Sequence, residues 1–151
     1  MKKPVNNKMI CVLLLLCGIC VAQDAPKPAT VYVYRANQFT AKLKSPTVFC
    51  NETPLAKMQN GRFFIVGLAP GKYAFRSEDK GVGIQLSAEA GKEYFVRVEM
   101  AMGQWKGTQQ VTEVSADQAQ KEIAGLKSID ENKIIDRDRV SRQLPANQAS
   151  R

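Results

Sequence analysis

Four glycines stand ten residues apart, at Gly61, Gly71, Gly81 and Gly91, and each closes a turn-like run. The runs are Gln59-Asn60-Gly61, Ala69-Pro70-Gly71, Asp79-Lys80-Gly81 and Glu89-Ala90-Gly91. Between them lie short segments in which apolar and polar residues alternate. Short strands broken by turn chemistry about every 8–12 residues mark an antiparallel sandwich or barrel, because a half-buried strand needs a period of two. Asn60-Gly61 reads as a hairpin, since both residues tolerate a positive φ. Pro70-Gly71 fits the centre of a type II turn, with Gly71 taking the positive φ.

The strands follow from that frame. TVYVYR (30–35) is β-branched and aromatic throughout, and RFFIV (62–66) reads as a buried strand. FTAKLK (39–44), Thr47 to Cys50, Leu55 to Met58, the segment around Tyr73 and Phe75, and that around Ile84 and Leu86 are shorter or weaker. From Glu93 to Met100 the chain places Tyr94, Val96, Val98 and Met100 on one side and Glu93, Phe95, Arg97 and Glu99 on the other, read as core against solvent. A last strand falls within Thr108 to Val114. The expected fold is therefore mainly β: an antiparallel β-sandwich of about seven or eight strands with one C-terminal α-helix.

That helix is announced by a change of period. Ser115 and Gln118 form a capping-box pattern, and Ala116, Ala119, Ile123 and Leu126 make a helical stripe that docks on the sandwich or across its open end. From Ser128 the chain is polar and mixed in charge. There Ile134, Ile135, Val140 and Leu144 suggest a short amphipathic helix, and the residues from Pro145 on read as disordered.

The N-terminus sets the compartment. Lys2, Lys3 and Lys8 precede an unbroken apolar run from Met9 to Ala22. This is the pattern of a signal peptide cleaved after Ala22, and the run is shorter than the ~20 residues a membrane-spanning helix needs. Cys17 follows Leu16 and Cys20 follows Ile19, so a lipid-anchored form is disfavoured for want of a small preceding residue. The domain plan is a signal peptide over 1–22, a leader over 23–29, the sandwich and its helix over 30–127, and a polar, partly disordered tail over 128–151.

Cleavage leaves 129 of the 151 residues and lowers the formal charge from +8 to +5. That suits one domain with interspersed charges and makes no nucleic-acid footprint. It also leaves Cys50 alone, so no disulfide within the chain is available and packing must hold the core.

The residue types argue against catalysis. The chain has no histidine, which removes the usual general base and the commonest metal ligand and leaves Cys50 without an activating partner. Glu52, Glu78, Asp79 and Glu89 lack the spacing of a calcium loop. Glu93 and Glu99 are the carboxylates a hydrolase would need, on what reads as an outer strand face with no implied cleft. The expectation is a protein without cofactor or metal that is not an enzyme.

Two regions are candidates for binding. Gly103-Gln104-Trp105-Lys106-Gly107 sets the only tryptophan beside a lysine, the composition of an interaction hot spot or a ligand platform. The tail sets Ile134, Ile135 and Val140 beside Arg137, Arg139 and Arg142, suited to a partner protein or, less well given Asp136 and Asp138, a membrane surface. The candidate site residues are Trp105, Lys106, Ile134 and Arg137.

The runs ATVYVYR, GRFFIVGLAPGKYAF, AEAGKEYFVRVEM and VTEVSADQAQKEIAGLK, in this order, resemble the domain of unknown function 2846, a group of small exported bacterial envelope proteins. The resemblance spans Ala29 to Lys127 and implies a compact sandwich like those of the transthyretin and PEGA type, often accessory or interaction modules. This chain has Asn51-Glu52 where the family often has Asp-Gly, and Tyr73 where it often has His. The resemblance implies no catalytic residue and no cofactor. The functional expectation is an exported, non-catalytic envelope protein that serves as a protein-binding or accessory module, with an envelope protein as the candidate partner and a small-ligand or glycan binder using the Trp105 end as the alternative.

Overall fold

The structure, a computed structural model, describes residues 26–38, 44–77, 83–102 and 107–143. In chain order the strands are β1 (Ala29–Arg35), β2 (Thr47–Cys50), β3 (Thr53–Lys57), β4 (Arg62–Leu68), β5 (Gly71–Ser77), β6 (Ile84–Ala88), β7 (Glu93–Met102), β8 (Gly107–Val114), β9 (Lys127–Ser128) and β10 (Val140–Ser141). Among the described residues one α-helix, α1 (Ala116–Ile123), stands between β8 and β9. A six-stranded sheet runs β10-β4-β1-β7-β8, with β9 also on β4, and a four-stranded sheet runs β3-β2-β5-β6. The two form an open sandwich. The expected weak strand at 39–44 lies almost wholly outside the described residues.

β1 explains the layering. Its side chains alternate, and both sets are buried: Val31 and Val33 enter the core between the sheets, while Tyr32 and Tyr34 belong to a second apolar cluster on the opposite face. A strand covered on both faces can be apolar throughout. It lies antiparallel to β4, with Val33 opposite Phe64, and parallel to β7, with Val33 opposite Val96. The β1–β7 pair and the short β4–β9 pair are parallel, and the other strand pairs of this sandwich are antiparallel as expected.

The second cluster corrects the reading of β7. Phe95 is buried on the face assigned to solvent, stacked on Tyr32 with ring centroids 5.0 Å apart. α1 covers this face: Ala119 is fully buried, with Ile123 and Leu126 packed beside it. Ala116 is exposed, so the docking stripe begins one turn later than the period suggested. Ser115 is the N-cap but makes no side-chain cap bond, and Gln118 hydrogen-bonds Glu122 instead of closing a capping box.

Three of the regular glycines have a different meaning from that first read, and Gly81 lies outside the described residues. Asn60-Gly61 joins β3 to β4, Pro70-Gly71 joins β4 to β5, and Ala90-Gly91 joins β6 to β7; each pair of strands belongs to different sheets. Gly61 and Gly91 take positive φ, 68° and 70°, whereas Gly71 is an ordinary strand residue opposite Ala88. These are corners between layers. The two-residue hairpin within a sheet is at Asn51-Glu52, where Asn51 holds φ 54° and its Oδ1 accepts from the Ala74 amide at 2.9 Å.

The chain does not leave the sandwich at Lys127. β9 and β10 pair with the outer edge of β4, so the segment 127–143 is a strap along one open side. No amphipathic helix forms there. A 3-10 turn at Glu131–Lys133 is the helical part of the strap, and Ile129 and Val140 enter the core from it.

Candidate functional site

The strap is shaped by its aspartates. At its start, Lys127 and Ile129 donate their amides to the Gly61 and Phe63 carbonyls at 3.3 and 2.8 Å. Asp130 then meets Gln59 twice: the Gln59 amide donates to Oδ2 at 2.8 Å, and the Asp130 backbone N–H donates back to Gln59 Oε1 at 3.2 Å. The Gln59 bond is the main reason the Asp130 carboxyl sits below the usual range. Arg62 adds an ion pair at 3.6 Å and donates to the Ser128 carbonyl.

Beyond the 3-10 turn the strap crosses to the other sheet. Ile134 bridges Ala56 of β3, and the amides of Ile135 and Asp136 both donate to the Leu55 carbonyl at 2.9 and 3.0 Å. Asp136 folds the return: its Oδ1 accepts from the amides of Asp138 and Arg139, both at 3.2 Å, and its carbonyl accepts from Val140. An Asp that bonds amides two and three residues on substitutes for a backbone turn. The strap thus ties the β4 edge of one sheet to the β3 edge of the other.

An open concavity of about 730 Å³ results between the 3-10 turn and β10. Ile134 and Arg137, two of the sequence-derived candidates, both line it, together with Glu131, Arg139 and Arg142. Ile134 is half-buried against the core and gives an apolar floor. Arg137 and Arg142 flank the Glu131 carboxylate at 3.6 and 3.7 Å, and Arg139 lies 3.5 Å from Asp136. Ile135, next to the concavity, is 46% exposed, the one large apolar side chain so exposed among the described residues. Trp105 and Lys106, the other two candidates, lie outside the described residues.

The carboxylates considered for hydrolysis have other partners. Glu93 accepts from the Tyr32 hydroxyl at 3.3 Å, and Glu99 pairs with Arg97 at 3.3 Å. Arg97 also donates to Glu122 of α1 at 3.1 Å, where the Tyr34 hydroxyl donates at 2.7 Å and the Gln118 amide at 2.9 Å. Burial alone would raise the Glu122 carboxyl, but the bonds from Tyr34, Gln118 and Arg97 outweigh it and hold it low. Burial, reinforced by Glu122, pushes the Tyr34 phenol up. This cluster fastens α1 to the sheet. Arg97 Nε makes no hydrogen bond although it lies 3.3 Å from Glu99, and Thr112 Oγ1 across the strand pair is likewise buried without one.

Cys50 is fully buried in the inter-sheet core, and that burial pushes its thiol up, away from the reactive thiolate. Among the described residues no group of three or more metal-ligating side chains converges.

The residues sequence reasoning missed are Asp130, Asp136 and Gln59, which shape the strap without lining a site. Their signal was available in part, since Asp136-Arg137-Asp138 is turn chemistry set inside an apolar pattern. Gln59 is 71 positions from Asp130 and carried no signal.

Residues 26–111 match one family's sequence pattern, from just before β1 to the middle of β8. α1 and the strap lie beyond that match, so the likeness seen through VTEVSADQAQKEIAGLK reaches only to Val111, and the concavity belongs to a part the family pattern does not describe. No curated protein and no solved structure matches the chain. By a match over more than half its length, the chain belongs to the family described as Protein of unknown function (DUF2846).

Proposed function

We propose that this chain is an exported, non-catalytic module that binds a protein partner through the outward surface of its 127–143 strap. One observation carries the reading: Ile134 and Arg137 fall in a single concavity with exposed Ile135 at its margin, on a segment anchored to both sheets. An apolar side chain ringed by arginines on a rigid support has the composition of a protein-recognition hot spot. The concavity is broad and charged, whereas a small-molecule site is enclosed and mostly apolar. The compact-sandwich likeness to transthyretin- and PEGA-type accessory modules supports the same role. Export rests on the charged start and the Met9–Ala22 apolar run.

The test is crosslinking and affinity recovery from the native envelope, comparing the mature chain with its Ile135→Ser variant. A stoichiometric partner held by the first and lost by the second is the expected outcome, with Gln23 as the N-terminus of the native protein by mass spectrometry. Capture that is indifferent to Ile135→Ser, or absent from both, refutes the strap as the recognition surface.

A further inference from the structure

Three guanidinium groups, those of Arg137, Arg139 and Arg142, line the strap concavity. Their ion-pair distances of 3.5 to 3.7 Å are longer than charge-assisted hydrogen bonds, and among the described residues none of the three makes a side-chain hydrogen bond. Arg137 and Arg142 share one carboxylate, Glu131, itself 66% exposed and reached from both sides. Two forks built to bind carboxylates in bidentate fashion thus hold one carboxylate loosely between them. Beneath lies the half-buried Ile134.

We propose that this concavity is a binding site for an extended acidic protein segment, whose carboxylates engage Arg137 and Arg142 while an apolar side chain rests on Ile134. The inference rests on the protein-binding reading above and names the chemistry of the partner. Glu131 is the internal stand-in: it keeps the two arginines in place in the free protein and gives way to, or is joined by, the incoming carboxylates. The mature chain's formal charge of +5 acts in the same direction, drawing an acidic partner from a distance. Asp136 does not oppose it as a free charge would, because its carboxylate is bound to two strap amides and Arg139, and Asp138 is one exposed carboxylate in the lining against three guanidinium groups. The Glu131 carboxylate already seated between Arg137 and Arg142 gives the geometry of a carboxylate ligand, so an acidic protein segment is favoured over a membrane surface.

The experiment uses the full mature chain and a fluorescein-labelled peptide of alternating glutamate and threonine around a central leucine. Its twin carries glutamine in place of glutamate. The acidic peptide is expected to bind with an affinity that falls with salt, and the twin and the Arg137→Glu/Arg142→Glu protein are each expected to weaken binding at least about tenfold. Lys72→Glu/Lys121→Glu makes the same change of net charge away from the strap and is expected to bind within about threefold of the parent. Protection of Cys50 from maleimide confirms that each variant is folded. Equal binding of the two peptides, equal loss in the Lys72→Glu/Lys121→Glu control, or no binding of the acidic peptide, whether or not phosphatidylglycerol vesicles bind, each overturns the proposal. The two readings fail separately: a native partner lost with Ile135→Ser but kept by Arg137→Glu/Arg142→Glu leaves the module standing and removes the acidic segment.

Discussion

Glu122 is where a single residue fixes the position of a whole element. It takes hydrogen bonds from Tyr34 of β1, Arg97 of β7 and Gln118 of its own helix, so three elements converge on one carboxylate. The ionised form accepts all three, and its folded pKa lies below the ordinary value. A carboxylate with a depressed folded pKa contributes stability above its unfolded pKa, and that contribution is lost as pH falls through the folded value. Glu122→Gln is therefore expected to cost about 1–2 kcal/mol near neutral pH, within the range for hydrogen bonds to a charged group. The difference from the parent should shrink as pH falls below the ordinary carboxylate range and through the depressed folded value, where Glu122 loses its charge. Denaturant midpoints taken across that range check it, and a difference constant with pH would show that the charge of Glu122 is irrelevant to holding α1. Tyr34→Phe removes the 2.7 Å bond without changing shape and should lose about 1 kcal/mol by the same measurement.

At the level of the element, the strap does two jobs that the sequence showed only in part. It fills core positions with Ile129, fully buried, and Val140, and it covers the edge of β4. An uncovered edge strand offers unpaired backbone groups to other chains. A chain ending after Lys127 is thus expected to lose its cooperative unfolding transition or to self-associate, seen as a rise in mass by light scattering; a stable monomer with unchanged Tm would show the strap to be ornamental. Ile129→Ala should cost about 3 kcal/mol, the scale for truncating a buried aliphatic side chain. This is also why surface variants such as Ile135→Ser test recognition better than a truncation. The strands themselves were legible, because alternation over TVYVYR or IQL is a local property. The sheet each strand joins was not, since turn residues such as Asn60-Gly61 dictate that the chain bends and say nothing of which layer it enters. The strap escaped for a related reason: Ile129, Ile134 and Val140 have no regular period, because each reaches the core from a different local conformation. Ile134 and Arg137 were nonetheless readable as a pair, since apolar and basic residues three apart in a polar tail stand out whatever backbone carries them.

For the molecule as a whole, the strap is a tie between the two sheets along the side where β4 and β3 lie. It pairs with β4, bridges β3 at Ala56, and takes two amide bonds from its own backbone to the Leu55 carbonyl. Cys50 lies in the core beside it, in one cluster with Ile129, Ile134 and Val140, and near enough that the charges of Arg139 and Asp136 act on its thiol. The two-residue strand β10 holds the far end of the strap, so local opening should start there and reach Cys50 before the sandwich itself unfolds. A fully buried thiol with a raised pKa reacts only in open states, which makes Cys50 a reporter of that motion. Val140→Ala removes buried methyl groups from the far end and should speed maleimide labelling of Cys50 by about tenfold or more, as expected for a local destabilisation of roughly 1.5 kcal/mol. Leu86→Ala, on β6 of the four-stranded sheet, is expected to destabilise the same core from a strand that does not pair with the strap. At matched global stability it should leave labelling slower than Val140→Ala does. Equal labelling of the two variants would mean that Cys50 is reached only by global unfolding, and that strap and sandwich open as one cooperative unit.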